Sequence, residues 1–135
     1  MKNFIFPILM IAALLAGCKK DKEASSQSII GKWEFRSMTG GQVAGSPSTV
    51  KAGNGNIIEF TDTEYQNTRN GTVVSKKTYV VVKDSANIDG TSYSNALIYD
   101  NESLKWYFSR NGDKLMLSIG SIALDGFTLT YQKVK

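Results

Sequence analysis

Histidine is absent from the 135-residue chain, cysteine occurs once and proline twice. The first absence excludes Ser-His-Asp and Cys-His nucleophilic machinery, together with histidine-based metal sites. A lone cysteine can neither close a disulfide within the chain nor build a cysteine-rich zinc site. Two prolines and twelve glycines exclude collagen-like and Pro-rich architectures. Any acid–base chemistry would rest on Asp, Glu, Lys or Tyr. Glu59, Asp62 and Glu64 could form a glycosidase-like pair, but their placement at a strand end and turn is equally that of a solvated rim, and nothing in the sequence buries them. Ser85-Ala86-Asn87-Ile88-Asp89-Gly90 begins like a calcium loop but meets Ala96 where the last ligand, a Glu, belongs. No catalytic residue, metal site or cofactor is therefore assigned, and the chain reads as a non-enzyme. What remains is a globular balance of 41% hydrophobic and 21% charged residues, in a length that suits one domain.

The N-terminus carries a targeting pattern. Lys2 is followed by an apolar run over residues 4–15, broken only by Pro7. A membrane-spanning helix needs ~20 apolar residues, so this run suits the central region of a signal peptide instead. It ends in Leu15-Ala16-Gly17-Cys18, which resembles the lipobox of bacterial lipoproteins. That resemblance implies removal of residues 1–17 and a diacylglyceryl group on the Cys18 thiol, tethering the protein to a membrane. Lys19 follows the cysteine where an Asp would resemble an inner-membrane retention signal, so the implied address is the outer membrane of the cell envelope, on either face. Residues 18–28 show no apolar periodicity and read as a flexible tether, with a reach of ~35 Å when extended. Lys2 is the one basic residue of the removed segment, which leaves 15 basic against 12 acidic residues. These are scattered, and Lys76-Lys77 is the one basic pair of the domain, so no nucleic-acid groove is expected.

Residues 29–135 read as one all-β domain. Eight short runs rich in Val, Ile, Thr, Tyr and Phe, at 30–38, 56–61, 64–69, 72–83, 94–99, 104–109, 113–119 and 126–134, are separated by turn residues. Asn70-Gly71 is the strongest hairpin signal, Asn111-Gly112 a second, and the long fourth run is expected to bend or bulge near Lys76-Lys77. No segment after residue 17 has a helical period. Eight sequential strands on short turns predict an antiparallel up-and-down barrel, because closure removes both exposed edges; a two-layer sandwich is the competing arrangement.

Gly31-Lys32-Trp33 resembles the Gly-x-Trp signature that opens the first strand of lipocalins. With the lipobox, Ile58 to Phe60, Tyr65, Asn70-Gly71, Tyr79 and Tyr131-Gln132-Lys133, the chain resembles the lipocalin-like lipoproteins of Gram-negative, Bacteroidota-type bacteria. The likeness is to these and not to lipocalins proper, whose Thr-Asp-Tyr motif and C-terminal helix are missing here. It implies an eight-stranded, lipocalin-like β-barrel whose closed end is plugged by Trp33, with Gly31 permitting the tight entry. Lys133 or Arg110 is placed to cover the Trp33 face by a cation–π contact.

Two features bear on function. A Gly-, Ser-, Ala- and Thr-rich connection over residues 39–56 is long enough to be a lid over the barrel mouth or a plain surface loop. Aromatic side chains are plentiful, and Phe35, Phe60, Tyr65, Tyr79, Tyr99, Trp106, Phe108 and Tyr131 are the candidates for lining a ligand pocket, against the alternative that they only fill the core. The expected role is a lipid-anchored binding protein holding a small, partly hydrophobic ligand at the mouth. The alternative is a solid-cored module that docks onto another envelope protein.

Overall fold

Strict alternation of apolar and polar residues places successive side chains on opposite faces of a strand, and a sheet built from such strands must hide one face. The computed structural model describes residues 28–41 and 48–135. The signal segment, Cys18, the tether up to residue 27 and residues 42–47 of the long connection lie outside the described residues. Nine strands form: β1 (Gly31–Gly40), β2 (Ser48–Thr49), β3 (Asn56–Phe60), β4 (Glu64–Arg69), β5 (Thr72–Ile88), β6 (Thr91–Tyr99), β7 (Lys105–Asn111), β8 (Lys114–Ser118) and β9 (Phe127–Lys133). Among the described residues there is no α-helix, only a 3-10 turn at Ile122–Leu124, and no helix long and apolar enough to cross a membrane.

From β3 to β9 each strand pairs antiparallel with the next, and β9 returns to pair with β1, so the nine-stranded sheet closes in a ring. One edge of β1 takes β9 along most of its length, while the other takes β3 opposite Gly31 to Glu34 and β2 opposite Ser37 and Met38. The interval between β2 and β3 is filled by residues 50–55. Asn54 Nδ2 donates to the Phe35 carbonyl at 2.8 Å, and the Glu34 carboxylate accepts from Arg36 and from the backbone N–H groups of Gly53 and Asn54. The described part of the long connection thus extends the wall and does not cover an end.

Turn chemistry sets the register. Asn70 and Gly71 both take positive φ between the paired residues Arg69 and Thr72, as a two-residue type I′ hairpin requires. Asp89 and Gly90 do the same between Ile88 and Thr91, so the expected loop around residues 87–90 is a tight turn at the end of a longer strand. The turn after β7 is Gly112-Asp113, one residue beyond the expected Asn111-Gly112, because Asn111 is still paired with Lys114. The irregularity expected in β5 near Lys76-Lys77 falls two residues before that pair, which itself remains in regular register with β4. Irregularities occur at Val74, opposite the Asn67/Thr68 step, and between Lys83 and Ala86.

The second irregularity redirects the chain. β6 pairs with β7 only from Asn95 to Ile98, leaving the tip of the β5–β6 hairpin without a sheet neighbour. That tip lies against the outside of the ring. Asp84 accepts from Lys105 Nζ at 2.7 Å and from the Tyr107 hydroxyl at 3.1 Å, and the Tyr93 and Tyr107 rings meet at 6.2 Å. Asp89 accepts from Ser121 Oγ at 2.7 Å and from the Ile122 N–H at 2.9 Å. Ile88, Tyr93, Ala96 and Ser118 are buried beneath this flap, a small second core on the outer face. The Ile122 N–H, then the Ser121 hydroxyl, hold the Asp89 carboxyl below the usual carboxylate range. A group depressed in the folded state contributes above its unfolded value and loses that contribution as pH falls through the folded value. Asp89→Asn, which tolerates the positive φ but removes the charge, is therefore expected to speed amide exchange across β5 and β6 beyond Lys83 at neutral pH. Wild type and variant should converge once pH drops well below the ordinary Asp value of about 3.9. Equal exchange at neutral pH would show that the tie does not hold the flap.

Inside the ring, Trp33, Ile58, Phe60, Tyr79, Leu97, Tyr99, Phe108, Leu115, Leu117 and Tyr131 form one buried cluster. Trp33 sits at one end, fully buried, its Nε1 donating to the Ile29 carbonyl at 2.6 Å. Both expected cations cover it: Arg110 Cζ lies 5.4 Å and Lys133 Nζ 5.6 Å from the ring centroid. Arg110 also donates to the carbonyls of Ser28 (2.6 Å) and Gly112 (2.8 Å), tying the entering chain and the β7–β8 turn across this end. Gly31 has a φ of +125°, a conformation that L side chains rarely adopt, where the chain swings into β1.

Candidate functional site

A lining follows from where strands end. β6 stops at Tyr99, opposite Tyr79, so the first half of β5 has no β6 beside it. The connection from Asp100 to Leu104 stands there instead. It is moored by Asp100, whose N–H donates to the Thr78 carbonyl and whose Oδ1 accepts from the Thr78 N–H and hydroxyl. Lys77 Nζ reaches Glu102 Oε1 at 2.6 Å on the same connection. Behind this patch of wall lies a cavity of about 240 Å³, bordered by Tyr65, Asn67, Ser75, Lys77, Tyr99, Glu102, Leu104, Trp106, Leu117, Leu129 and Tyr131.

Of the eight aromatic side chains expected at a pocket, Tyr65, Tyr99, Trp106 and Tyr131 border this space. Phe60, Tyr79 and Phe108 belong to the packed cluster and Phe35 packs against it, none of the four bordering the cavity. Phe60 bridges Tyr65 and Tyr79 at 5.3 and 5.2 Å, and Phe35 meets the edge of Tyr131 at 5.7 Å. All eight point inward. Position along the ring axis separates them, and alternation does not encode it. Sequence reasoning missed the polar half of the wall, although its signal was present. Asn67 follows Tyr65 at the inward spacing of two, and Ser75 and Lys77 precede Tyr79 in the same phase. Of the three carboxylates considered above, two face outward in ion pairs, Glu64 with Lys76 at 3.0 Å and Glu59 with Lys32 at 3.7 Å, and Asp62 is exposed in the turn between β3 and β4.

The cavity is electrically neutral near pH 7. Burial, and then the neighbouring tyrosines, push the Tyr99 and Tyr131 phenols far above their ordinary values. Burial also raises Tyr65, against an opposing hydrogen bond from Asn67. Lys77 is raised by its hydrogen bond to Glu102, so the two stay a charged pair at the rim. The fold favours the protonated phenols. Its advantage is therefore intact below the unfolded Tyr value of about 10 and is lost as pH rises above it. Alkaline titration followed by phenolate absorbance should show that Tyr99 and Tyr131 ionise only as the ring unfolds. Reversible ionisation of all six tyrosines with the near-ultraviolet dichroism unchanged would contradict this.

One polar atom in the wall is unsatisfied: Asn67 Oδ1 is buried without a hydrogen-bond partner among the described residues. Set against protein-family models, curated proteins and solved structures, the chain matches none.

Proposed function

We propose that the ring is a lipocalin-like up-and-down β-barrel, carried on a lipid anchor at Cys18 in the Gram-negative envelope, and that it holds a small, partly apolar molecule at its mouth without transforming it. The observation that carries this reading is the cavity itself: 240 Å³ walled by four aromatic side chains and three leucines, next to the buried cluster inside the ring. Apolar walls with a few convergent polar groups are the usual make-up of a small-molecule site. Weighing the protein by native mass spectrometry after exposure to an envelope extract tests the role. A reproducible bound mass is expected, and a bare chain would remove the proposal. The anchor is tested separately by labelled fatty acid, which should enter the wild type and not Cys18→Ser.

A second reading has its own support. Beyond Tyr79 the outer edge of β5 pairs with no strand among the described residues, and Val80 and Val81 are half exposed there. An unpaired edge of this kind can accept a strand from another protein. Cross-linking in cells from position 81 distinguishes the readings, since a single reproducible envelope partner would favour docking.

A further inference from the structure

The unsatisfied Oδ1 of Asn67 in the cavity wall leads one step further, to the class of ligand, and that step rests on the binding role proposed above. Asn67 lies on the inward face of β4, opposite Ser75, and both border the cavity. A buried acceptor without a donor carries its desolvation cost unrelieved. The unfilled space that Asn67 borders is the cavity. Its terminal amide torsion is soft, so a donor arriving there can be met by a small rotation.

The rest of the wall restricts what can bring that donor. Tyr65 and Tyr99 stand 5.0 Å apart and Tyr99 and Trp106 6.1 Å, the spacing at which aromatic rings make favourable contacts. The volume exceeds the roughly 150 Å³ that admits benzene in an engineered apolar cavity, and falls below the ~300 Å³ at which drug-sized pockets begin. One ring or a fused pair fills it. At the rim Lys77 is already paired with Glu102, 34% and 44% exposed. An anion would have to displace that carboxylate and approach the Asn67 carbonyl, and a cation would meet the ammonium.

We infer that the ligand is a neutral aromatic molecule of one or two rings bearing a hydroxyl or N–H group, and that Asn67 Oδ1 is the acceptor that selects for this donor. Asn67 is thus a specificity residue, and Trp106 is part of the continuous aromatic wall, with Tyr99 and Tyr65, against which the ligand ring packs.

The test is an NMR titration of the full chain carrying Cys18→Ser, which alters no described residue. Four probes of one shape are compared: p-cresol, toluene, 4-methylanisole and 4-methylbenzoate. The expected result is p-cresol binding at least about tenfold tighter than the other three, because only it brings a neutral donor to the buried acceptor. Asn67→Leu should abolish the preference for p-cresol over toluene, and binding of toluene by the variant reports that a cavity is still present; the wild-type series decides the question if that variant does not fold. Equal affinity for p-cresol, toluene and 4-methylanisole would overturn the assignment of the donor and leave the binding role standing. Tighter binding of 4-methylbenzoate would overturn the neutral class. Failure of all four to bind would overturn the inference together with the cavity as a site for small ligands.

Discussion

Trp33→Ala is expected to destabilise the ring by about 3–5 kcal/mol, the range for truncating a buried tryptophan or phenylalanine. The side chain is completely buried, so the whole transfer term is lost and a cavity is left at the packed end. Two further losses accompany it. The Ile29 carbonyl loses its donor, and Arg110 and Lys133 lose the π face on which they rest. Domains of this size are stable by only ~5–15 kcal/mol, so the variant should sit near the edge of folding. Trp33→Phe separates the terms, because it keeps a ring beneath the cations but removes the N–H. It should cost about 1–3 kcal/mol, the penalty for a buried carbonyl left unpaired. Urea denaturation checks both, with a lower midpoint at constant slope as the signature. A loss below ~1 kcal/mol for Trp33→Ala would show that the end of the ring is not plugged by this residue.

Gly126→Ala should be nearly as severe. Gly40, Gly120 and Gly126 meet where the β8–β9 connection returns beside the end of β1. A Cβ on Gly126 would fall on the Gly120 carbonyl and lie 2.6 Å from the Ser121 oxygen. A Cβ on Gly40 would fall 2.5 Å from the Gly126 oxygen. These are backbone atoms, so no rotamer change relieves the clash. The corner also carries the hydrogen bonds from Gly41 N–H to the Gly126 carbonyl (3.0 Å) and from Gly126 N–H to the Ser121 carbonyl (2.9 Å). Overpacking costs ~1–3 kcal/mol where side chains can yield, and this site belongs at or above the top of that range. Leu124→Ala, on the same connection but 84% exposed, should change stability by less than ~0.5 kcal/mol. Thermal melts of the three proteins side by side make the comparison. Equal midpoints for Gly126→Ala and wild type would mean that the corner can move apart freely.

Much of the architecture is written locally. Period-two patterning places β4 at Glu64–Arg69 as expected, and turn residues with a positive φ fix the hairpins on either side of β5. What escapes is set by distant partners. β2 is two residues long and exists because β1 offers it an edge. β5 reads as ending near Lys83, since Asp84, Ser85 and Asn87 are weak strand formers, yet it runs to Ile88 because the flap it builds is held by Lys105, Tyr107, Ser121 and Ile122. The cavity is legible only in part for a related reason. Inward direction follows from alternation, so Tyr65, Tyr99, Trp106 and Tyr131 could be nominated. The vacancy itself arises because β6 ends beside the middle of β5 and a loop closes the wall there, a matter of stagger between strands that no single strand declares.

The grip of Arg110 on the Ser28 carbonyl has a consequence for orientation. Ser28 is held at the Trp33 end, whereas the cavity lies further along the ring, toward Leu117, Leu129 and Trp106. In a chain anchored through Cys18, the leash therefore leaves from the stoppered base. The proposed attachment point would then sit at the plugged end, apart from the cavity, and a lipid there would leave the cavity wall untouched.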